Sequence, residues 1–340
     1  MTDARLITRR HALSAGCWAA ASAVAAPRFV RAAAPEPVDV VMTQGISGLT
    51  MHEVARAQGF FDEFNIAPKV LQVSDGSKCV AALISGSARI CMWSGFNQLT
   101  PAIERGARLK ILAGALSLPS VAMYSAKPEI RKVSDLEGKV VGIGSLGSVL
   151  HQMTVVLLKK KGVNVDEVMF RNVGSNAEIL KSVIARTVDA GLSDVDVIDL
   201  QQKFGMHVLP DGMLWKEIPE YTNQGTYASD AAIREDREQL TRVLAAYAKA
   251  YRFVSGPDSR AAFIQARQKI TSNAELTQAV TQWNWIQQYQ PYATNLVLSD
   301  TQINTVQQLN IEFKVQRTML PIPAIADMSL ARDAMKLLKS

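Results

Sequence analysis

The sequence predicts an α/β protein with two lobes, each built around its own sheet. Short apolar runs of strand length alternate with stretches of helical periodicity, and this alternation occurs in two successive blocks. A polar break at residues 134–138 separates the blocks. About 300 residues follow the N-terminal leader, which is more than one hydrophobic core usually holds. We therefore expect two parallel sheets in two lobes, with a helical C-terminal region packed on one or both.

Residues 1–34 are typical of an export signal, since a basic start precedes a weakly apolar stretch of small residues and candidate cleavage sites. The Arg9-Arg10 pair fits the twin-arginine type, although the aromatic residue often found shortly after such a pair is missing. We expect cleavage near Ala32 and a periplasmic mature protein. Lipid attachment at Cys17 is disfavoured, because only six residues separate it from Arg10.

The leader carries most of the positive charge of the chain. The whole sequence has a net charge of +6, and the leader holds five arginines against the single acid Asp3. The mature chain is therefore near neutral and lacks the basic stripe that nucleic-acid or anionic-lipid binding requires. We expect neither partner. Beyond the leader, no stretch reaches the ~18 apolar residues of a membrane span, so a soluble mature protein is expected.

Cysteine and histidine give no sign of a metal or cofactor site. Cys79 and Cys91 are twelve residues apart and would be able to form a disulfide in an oxidising compartment. We favour two small buried hydrophobic residues, because a twin-arginine substrate folds before it meets oxidant. His52, His151 and His207 are scattered without ligand spacing, so we expect no metal.

The first block is an alternation of strands and helices. Its strands are apolar or alternating runs, and its helices place apolar residues on one face, as Val54, Ala55 and Phe61 do. The predicted order is a strand at 38–42, a helix at 50–64, a strand at 68–73, a helix at 78–85, a strand at 88–92, and two strands at 109–116 and 120–126 around a turn at 117–119.

The second block repeats this pattern after the polar break. A strand at 139–144 runs into a glycine-rich turn and a long amphipathic helix, which ends at three lysines with Gly162 as C-cap. Further predicted elements are a strand at 168–174, a helix containing 179–184, and strands at 188–192, 206–210 and 225–229. Past Ile233 the chain is almost wholly helical, with capping boxes beginning at Ser272 and Ser299.

Three stretches of the sequence resemble the NMT1/THI5-like branch of periplasmic binding proteins, which includes sulfonate, taurine, nitrate and thiamine-precursor binders. The first is VARAQGFF at 54–61, and the second is Gly95 with PAIERGARLKILA at 101–113. The third is DLEGKVVGIGSLGS at 135–148 with GLSDVD at 191–196. Their order along the chain is as informative as their residues. Together the three stretches span most of residues 40–230.

The resemblance implies a bilobal clamp of the periplasmic-binding-protein type, with a ligand cleft between two α/β lobes. The implied lobes are residues 38–126 with 232–340, and residues 127–231. The implied function is capture of a small molecule outside the cytoplasm and delivery to the permease of an ABC importer. We expect a monomer that has no cofactor and is not an enzyme, so that binding makes or breaks no covalent bond in the ligand. A sensory role, with a membrane receptor in place of the permease, stays open.

The loop at 142–148 lies between a strand and the start of a helix, where free backbone N–H groups favour an anion. We expect Ser145, Gly147 and Ser148 to contact the ligand, although either serine would equally serve as an N-cap. The solute is therefore expected to carry an anionic group. The sequence does not rank a carboxylate, a sulfonate and a pyrimidine-like compound.

The same loop matches the dinucleotide fingerprint G-x-G-x-x-G, so the rival hypothesis is an exported NAD(P)-dependent oxidoreductase. An NAD site needs an acid about 20 residues further on, at the end of the next strand. That strand ends at Arg171 and Asn172 instead, although Arg171 would suit an NADP phosphate. The fingerprint also lies mid-chain, after an apparently complete α/β block.

Other candidate ligand contacts follow predicted strands, whose carboxyl ends open onto the cleft in open α/β sheets. An aromatic residue there would stack on a planar ligand or belong to the core, and Asp194 would bind a ligand amine or cap a turn. No serine hydrolase is indicated, because Ile143 breaks the G-x-S-x-G pattern around Ser145. The further candidates are Gln44, Thr50, Trp93, Ser94, Gly95, Phe96, Asp194 and Gln224.

Overall fold

The computed structural model describes residues 34–222, 224–272 and 276–339. The predicted export signal, apart from Ala34, lies outside these residues, as does most of the capping box predicted at Ser272. In the described part of the chain, no helix is long and apolar enough to cross a membrane.

The strands lie close to their predicted positions. Most are apolar or alternating runs, and β3 is buried along its whole length. The strands are β1 (Glu36–Thr43), β2 (Ile66–Val73), β3 (Ile90–Ser94), β4 (Leu109–Leu116), β5 (Val121–Ser125), β6 (Val140–Ile143), β7 (Met169–Asn172), β8 (Ala190–Asp194), β9 (His207–Met213) and β10 (Gln224–Ser229).

The helices follow the strands in the first two thirds of the chain and dominate the rest. They are α1 (Ile46–Ala57), α2 (Phe60–Glu63), α3 (Gly76–Ser85), α4 (Leu99–Glu104), α5 (Val149–Lys160), α6 (Asn176–Ile184), α7 (Gln201–Phe204), α8 (Leu214–Glu217), α9 (Asp230–Glu235), α10 (Arg237–Ser255), α11 (Arg260–Ile270), α12 (Leu276–Tyr289), α13 (Asp300–Glu312), α14 (Ile322–Ile325) and α15 (Ser329–Leu337).

Helix boundaries follow local chemistry. The single helix predicted at 50–64 begins earlier, at Ile46, and is broken at Gly59, whose φ of 71° is left-handed. Helix α5 ends as predicted, with Lys159 and Lys160 in its last turn and Gly162 at φ 74°. The capping box at Ser299 is confirmed, because its side chain accepts from the N–H of Gln302 and the Gln302 side chain caps it in return.

The strands form two five-stranded sheets, in the orders β2-β1-β3-β10-β4 and β7-β6-β8-β5-β9. Strand β1 is parallel to β2 and β3, and β6 is parallel to β7 and β8. The expectation of purely parallel sheets is wrong, because β10 is antiparallel to β3 and β4, and β5 is antiparallel to β8 and β9. Both exceptions are the first strand after the chain crosses from one sheet to the other, where no crossover helix fixes a parallel direction.

Sheet membership differs from the implied lobe boundaries at two strands. Strand β5 pairs in the second sheet although its residues were expected in the first lobe, and β10 pairs in the first sheet although its residues were expected in the second lobe. The chain therefore passes between the sheets after β4 and again after β9. Both passages lie before the lobe boundaries implied at 126–127 and 231–232, because β5 and β10 complete the sheet that the chain has just entered.

The core is built around the sheets and the long helix α10. Leu240, Leu244, Tyr247 and Tyr251 of this helix are fully buried and belong to one large apolar cluster with residues of β1, β3 and α1. Cys79 and Cys91 both carry free thiols and are buried. They pack as the small hydrophobic residues that we favoured, in the cluster that lies under α3 and α4.

Helix α13 connects the two halves of the fold through a buried amide network. The side-chain amide of Asn310 donates to Thr100 Oγ1, which belongs to α4, at 2.8 Å. Its oxygen accepts from Gln152 Nε2 of α5, at 3.0 Å. All three side chains are fully buried, so the C-terminal region packs on both halves of the molecule.

Candidate functional site

A cavity of about 500 Å³ is lined by residues from both sheets and from the C-terminal helices. It lies at the carboxyl ends of β1, β2, β3 and β8, the usual ligand position in open α/β sheets. Its lining residues are Thr43, Gln44, Gly45, Ile46, Ser47, Gly48, Ser74, Trp93, Ser175, Asn176, Ala177, Asp194, Val195, Asp196, Gln224, Arg267 and Gln282.

The N-terminus of α1 faces this cavity without a side-chain cap. Gly45 is the N-cap residue, in extended conformation at φ −70°, and it has no side chain with which to bond the first N–H groups. Ile46, Ser47 and Gly48 form the first turn and line the cavity. Their backbone N–H groups belong to the set that a helix cannot satisfy internally, and they carry the positive end of its dipole. This turn is therefore suited to an acceptor or an anion.

Gly48 allows the indole of Trp93 to lie directly against α1. A Cβ at Gly48 would be only 2.8 Å from the Trp93 Cβ. Trp93 itself has a φ of 55°, which is strained for a non-glycine residue, and its indole N–H donates to the Tyr251 hydroxyl at 2.7 Å. The indole also meets Tyr251 and Tyr292 edge to face. With 1% exposure, Trp93 closes the cavity as part of the core rather than as a free stacking surface.

Helix α6 contributes a second N-terminus from the other sheet. Ser175 caps it and forms a capping box with Glu178, so part of this helix end is already satisfied. Asn176, in the first turn, donates from Nδ2 to Asp194 Oδ1 at 2.8 Å. The Asp194 carboxylate at the end of β8 is thereby held at the cavity wall.

Arg267 of α11 is the one arginine among the described residues that line this cavity. Its guanidinium donates from one terminal nitrogen to Asp196 and from the other to Gln282 Oε1. Gln282 in turn donates to the Ser47 hydroxyl at 2.9 Å, which connects this group to α1. The Arg267 side chain is only 4% exposed, and its Nε has no hydrogen-bond partner among the described residues. An unpaired buried donor is costly, and a bound acceptor would satisfy it.

Burial raises the pKa of both carboxyl groups in the cavity wall. For Asp194, the hydrogen bond from Asn176 and the charge of Arg267 oppose this rise. For Asp196, burial is the largest cause, the charge of Asp194 adds to it, and Arg267 opposes it, which brings the pKa to about 7. Two acids beside one guanidinium thus carry less negative charge at neutral pH than their number implies.

A second cavity of about 170 Å³ shares Asn176, Asp194 and Gln224 with the first. Apart from these three residues, the side chains that line it are apolar, and one glycine contributes only backbone. The other lining residues are Gly95, Val121, Val149, Leu150 and Met153.

The structure brings some of the sequence-predicted site residues together. Gln44, Trp93, Asp194 and Gln224 line the main cavity, and Gly95 lines the second one. Four of them lie at or just beyond the carboxyl end of a strand, as the topology argument expected. Gln224 instead begins β10, whose antiparallel direction brings its amino end to the cavity.

Thr50, Ser94 and Phe96 lie in the core, behind the cavity walls. The Thr50 hydroxyl donates to the Ile46 carbonyl at 2.7 Å, and Phe96 packs against Tyr227. The Ser94 hydroxyl is buried and has no partner among the described residues. These three side chains line neither cavity.

The glycine-rich loop caps its own helix. Ser148 is the N-cap of α5 and accepts from the His151 N–H, and the Gly147 N–H donates to His151 Nδ1 at 2.9 Å. Ser145 is exposed to solvent. Ser145, Gly147 and Ser148 line neither cavity, so the alternative of an N-cap describes what Ser148 does here.

Sequence reasoning missed several polar residues of the cavity. One signal was available, because Ser175 and Glu178 form the S-x-x-E pattern that marks a helix start after a strand. Arg267 and Gln282 carried no such signal, since they lie in amphipathic helices without a motif. Only the packing of α11 and α12 against the sheets brings them to the site.

Residues 49–259 of the chain match the family model described as NMT1/THI5 like. The chain belongs to the NMT1/THI5-like family. The match covers β2–β10 and both passages between the sheets. The cavity-lining residues of the loop after β1, of the first turn of α1, of α11 and of α12 lie outside it.

Solved structures similar to this NMT1/THI5-like chain have the same fold. The periplasmic aliphatic sulphonate binding protein SsuA from Escherichia coli is 16% identical, with a TM-score of 0.71, over 86% of this chain and 92% of that one. The alkanesulfonate-binding protein SsuA from Xanthomonas axonopodis pv. citri, bound to MOPS, is 18% identical, with a TM-score of 0.67, over 86% of this chain and 99% of that one. The periplasmic nitrate-binding protein NrtA from Synechocystis PCC 6803 is 10% identical, with a TM-score of 0.70, over 89% of each chain. At these identities the likeness shows the periplasmic-binding-protein fold. No curated protein matches the chain.

Family membership favours solute binding over the oxidoreductase hypothesis. The structure agrees, because the Arg171 guanidinium donates to the Thr187 carbonyl, within its own half of the fold. Within residues 34–222, 224–272 and 276–339, no group of three or more His, Cys, Asp or Glu side chains is arranged to hold a metal ion.

Proposed function

We propose that this NMT1/THI5-like chain is an exported solute-binding protein that delivers a small, anion-bearing organic solute to an ABC importer. The solute would be a sulfonate, a carboxylate or a pyrimidine-like compound. The observation that carries the proposal is the buried Arg267, whose Nε has no partner among the described residues, in a cavity that the uncapped end of α1 also lines.

The anionic group of the solute would accept from both donors. Helix N-termini bind anions through free N–H groups and the helix dipole, and a hydrogen bond to a charged donor contributes about 1.5–3 kcal/mol. Gln282 bonds both Arg267 and Ser47, so it holds the two donor groups in one arrangement. Asp194 and Gln224 would bind the polar remainder of the solute, with Asp194 accepting from a donor such as an amine.

Capture by closure is the mechanism that suits this arrangement. A solute in contact with residues of both sheets stabilises the state in which the two halves are close, because it loses contacts when they separate. The closed form would then dock on a membrane permease as a monomer. No bond is made or broken in this cycle, and no cofactor takes part.

Export would follow the twin-arginine route, with cleavage near Ala32. Support comes from the Arg9-Arg10 pair in a short leader and from relatives whose names describe them as periplasmic. The export route is tested by replacing both Arg9 and Arg10 by lysine, which should keep the protein in the cytoplasm.

Thermal unfolding with candidate solutes tests the proposal. The purified exported protein would be screened against sulfonates, carboxylates, pyrimidines and NAD(P). A ligand that binds only the folded state stabilises it by about 2.7 kcal/mol at 100 times its Kd. We expect small organic anions to raise the melting temperature and NAD(P) to leave it unchanged.

Two matched variants connect the binding to the cavity. Arg267→Lys keeps the charge but removes the Nε donor, and we expect it to weaken binding of the best solute by about 10–100-fold. Arg237→Lys is the control, because Arg237 is 41% exposed and pairs with Asp333 away from the cavity. A stabilising effect of NAD(P) alone, or equal binding by the Arg267→Lys variant and the wild type, contradicts the proposal.

A further inference from the structure

The second cavity forms an apolar side chamber of the main cavity. The two share Asn176, Asp194 and Gln224, so these three polar residues stand at the junction. Beyond the junction, the side chamber is lined by Val121, Val149, Leu150 and Met153, with Gly95 completing the wall. A solute group that passes the junction meets these four apolar side chains.

The apolar wall is a consequence of how α5 begins. The polar groups at its N-terminus bond one another, since Ser148 accepts from His151 and the Gly147 N–H donates to His151 Nδ1. Val149 and Met153 are four residues apart and Leu150 and Met153 three apart, so these side chains share one face of the helix. The first turn of α5, which the sequence suggested as an anion site, therefore contributes apolar side chains to the second cavity.

Val121 continues this face on the sheet. It pairs with Asp194 across the antiparallel strands β5 and β8, which puts the two side chains on the same side of the sheet. Val121 is 3% exposed and Met153 fully buried, whereas Val149 and Leu150 are half-buried. The chamber thus has a buried floor and a partly exposed rim.

The volume of the side chamber sets the size of its occupant. A dry apolar cavity of roughly 150 Å³ is able to hold a benzene molecule, and this chamber measures about 170 Å³. It therefore accommodates a phenyl ring or an alkyl chain of a few carbons.

We infer that the solute carries an apolar group, a phenyl ring or a short alkyl chain, which occupies the chamber formed by Val121, Val149, Leu150 and Met153. This inference rests on the proposed function, because the anionic group of the same solute is bound in the main cavity. It narrows the solute class to amphiphilic organic anions and separates them from inorganic anions and fully polar solutes.

Two homologous series of anions test the inference. Isothermal titration calorimetry would measure Kd for acetate, butyrate, hexanoate and benzoate, and for the methane-, butane-, hexane- and benzenesulfonates, with the purified exported protein. We expect affinity in at least one series to rise about fourfold for each added methylene until the chamber is full. The phenyl member should bind as tightly as the longest chain that fits.

Variants of the chamber show where the apolar group lies. Leu150→Trp fills the chamber and should abolish the gain with chain length, while the shortest anion binds as it does to the wild type. Val149→Phe is a second filling variant at a half-buried position, for the case in which the first does not fold, and circular dichroism checks the fold of both. Leu146→Trp is the matched control, because Leu146 is 73% exposed in the preceding loop.

The outcomes separate the inference from the proposed function. If short anions bind but chain length brings no gain, the inference fails and the proposed function stands. If the gain persists in the folded filling variants, the apolar group lies elsewhere and the inference fails. If no member of either series binds, both the inference and the anion-binding proposal are wrong.

Discussion

His52 gives the folded protein a pH dependence whose size follows from its surroundings. It lies on α1, with Nδ1 2.7 Å from the Tyr247 hydroxyl oxygen and its ring 5.0 Å from that of Phe61. Burial lowers the pKa of His52 from 6.5 to about 4, while the charge of Glu53 raises it and that of Arg56 lowers it by smaller amounts. The folded protein therefore holds this imidazole neutral at pH values where the unfolded chain binds a proton.

The sign of the effect follows from this difference in proton binding. The stability contributed by a neutral His52 is fully present above the unfolded pKa of 6.5 and is lost as the pH falls through 6.5 towards 4. With these two pKa values, the loss between pH 7.5 and pH 5.0 is about 2 kcal/mol of unfolding free energy. Glu53, whose pKa is lowered to about 2, loses its own contribution below its unfolded value of 4.5, outside this range.

Urea unfolding of the wild type and of His52→Gln at the two pH values isolates the effect. Asp196, whose raised pKa changes stability in the opposite direction, and His151, whose pKa burial also lowers, are present in both proteins and cancel in the comparison. We expect the stability of His52→Gln relative to the wild type to improve by about 2 kcal/mol on going from pH 7.5 to pH 5.0.

Tyr247→Phe is the matched control. It removes the hydroxyl beside His52 but keeps the buried imidazole, so it should cost about 1 kcal/mol at both pH values and keep the pH dependence of the wild type. A difference between His52→Gln and the wild type that stays constant within about 0.5 kcal/mol across the two pH values refutes the assignment of a buried neutral imidazole.

Three further changes probe the site and its scaffold. Gly48→Ala brings a Cβ within 2.8 Å of the Trp93 side chain and should lower the free energy of unfolding in urea by about 1–3 kcal/mol. Gly45→Ala is its control, because the added Cβ meets only Thr43 Oγ1, at 3.7 Å, and this variant should lose less than about 1 kcal/mol. Ser299→Ala removes the capping box of α13 and should cost about 1 kcal/mol in the same assay; an unchanged midpoint and slope would contradict this. A simple carboxylate offers Asp194 no donor, so an ionised Asp194 should repel it. Since burial raises the pKa of Asp194, calorimetry should find that wild-type affinity for this carboxylate falls as the pH rises, and that Asp194→Asn binds it roughly tenfold more tightly at pH 8; weaker binding by this variant would contradict such repulsion.

The alternation of strands and helices was predictable because it depends on local patterns. Residues 38–42 and 139–144 are apolar runs of strand length, and each is a strand in the structure. The direction of β5 and β10 was not predictable in this way, because it depends on which sheet the chain has just left. Periodicity indicates that a segment is a strand, but it does not indicate which strands lie beside it in the sheet or in which direction they run.

The cavity was predictable only where a residue follows a strand. Gln44 and Asp194 were found by topology, since the carboxyl ends of parallel strands converge at one edge of a sheet. Gln224 reaches the same edge for another reason, because β10 is antiparallel and begins there. Arg267 was not found, because its role depends on contacts between residues far apart in sequence, such as its pair with Asp196. The loop at 142–148 has the right composition for an anion site, but in the structure His151 takes its free donor and acceptor.

The buried amide of Asn310 bears on how solute would enter and leave. It bonds α4 on one side and α5 on the other, so a motion that pulls these helices apart leaves amide groups buried and unpaired, at a cost of about 1–3 kcal/mol. A rotation about an axis near α13 keeps both bonds. We therefore expect this helix to serve as the pivot, with displacement growing with distance from it, so that solute exchange depends on the rim remote from α13.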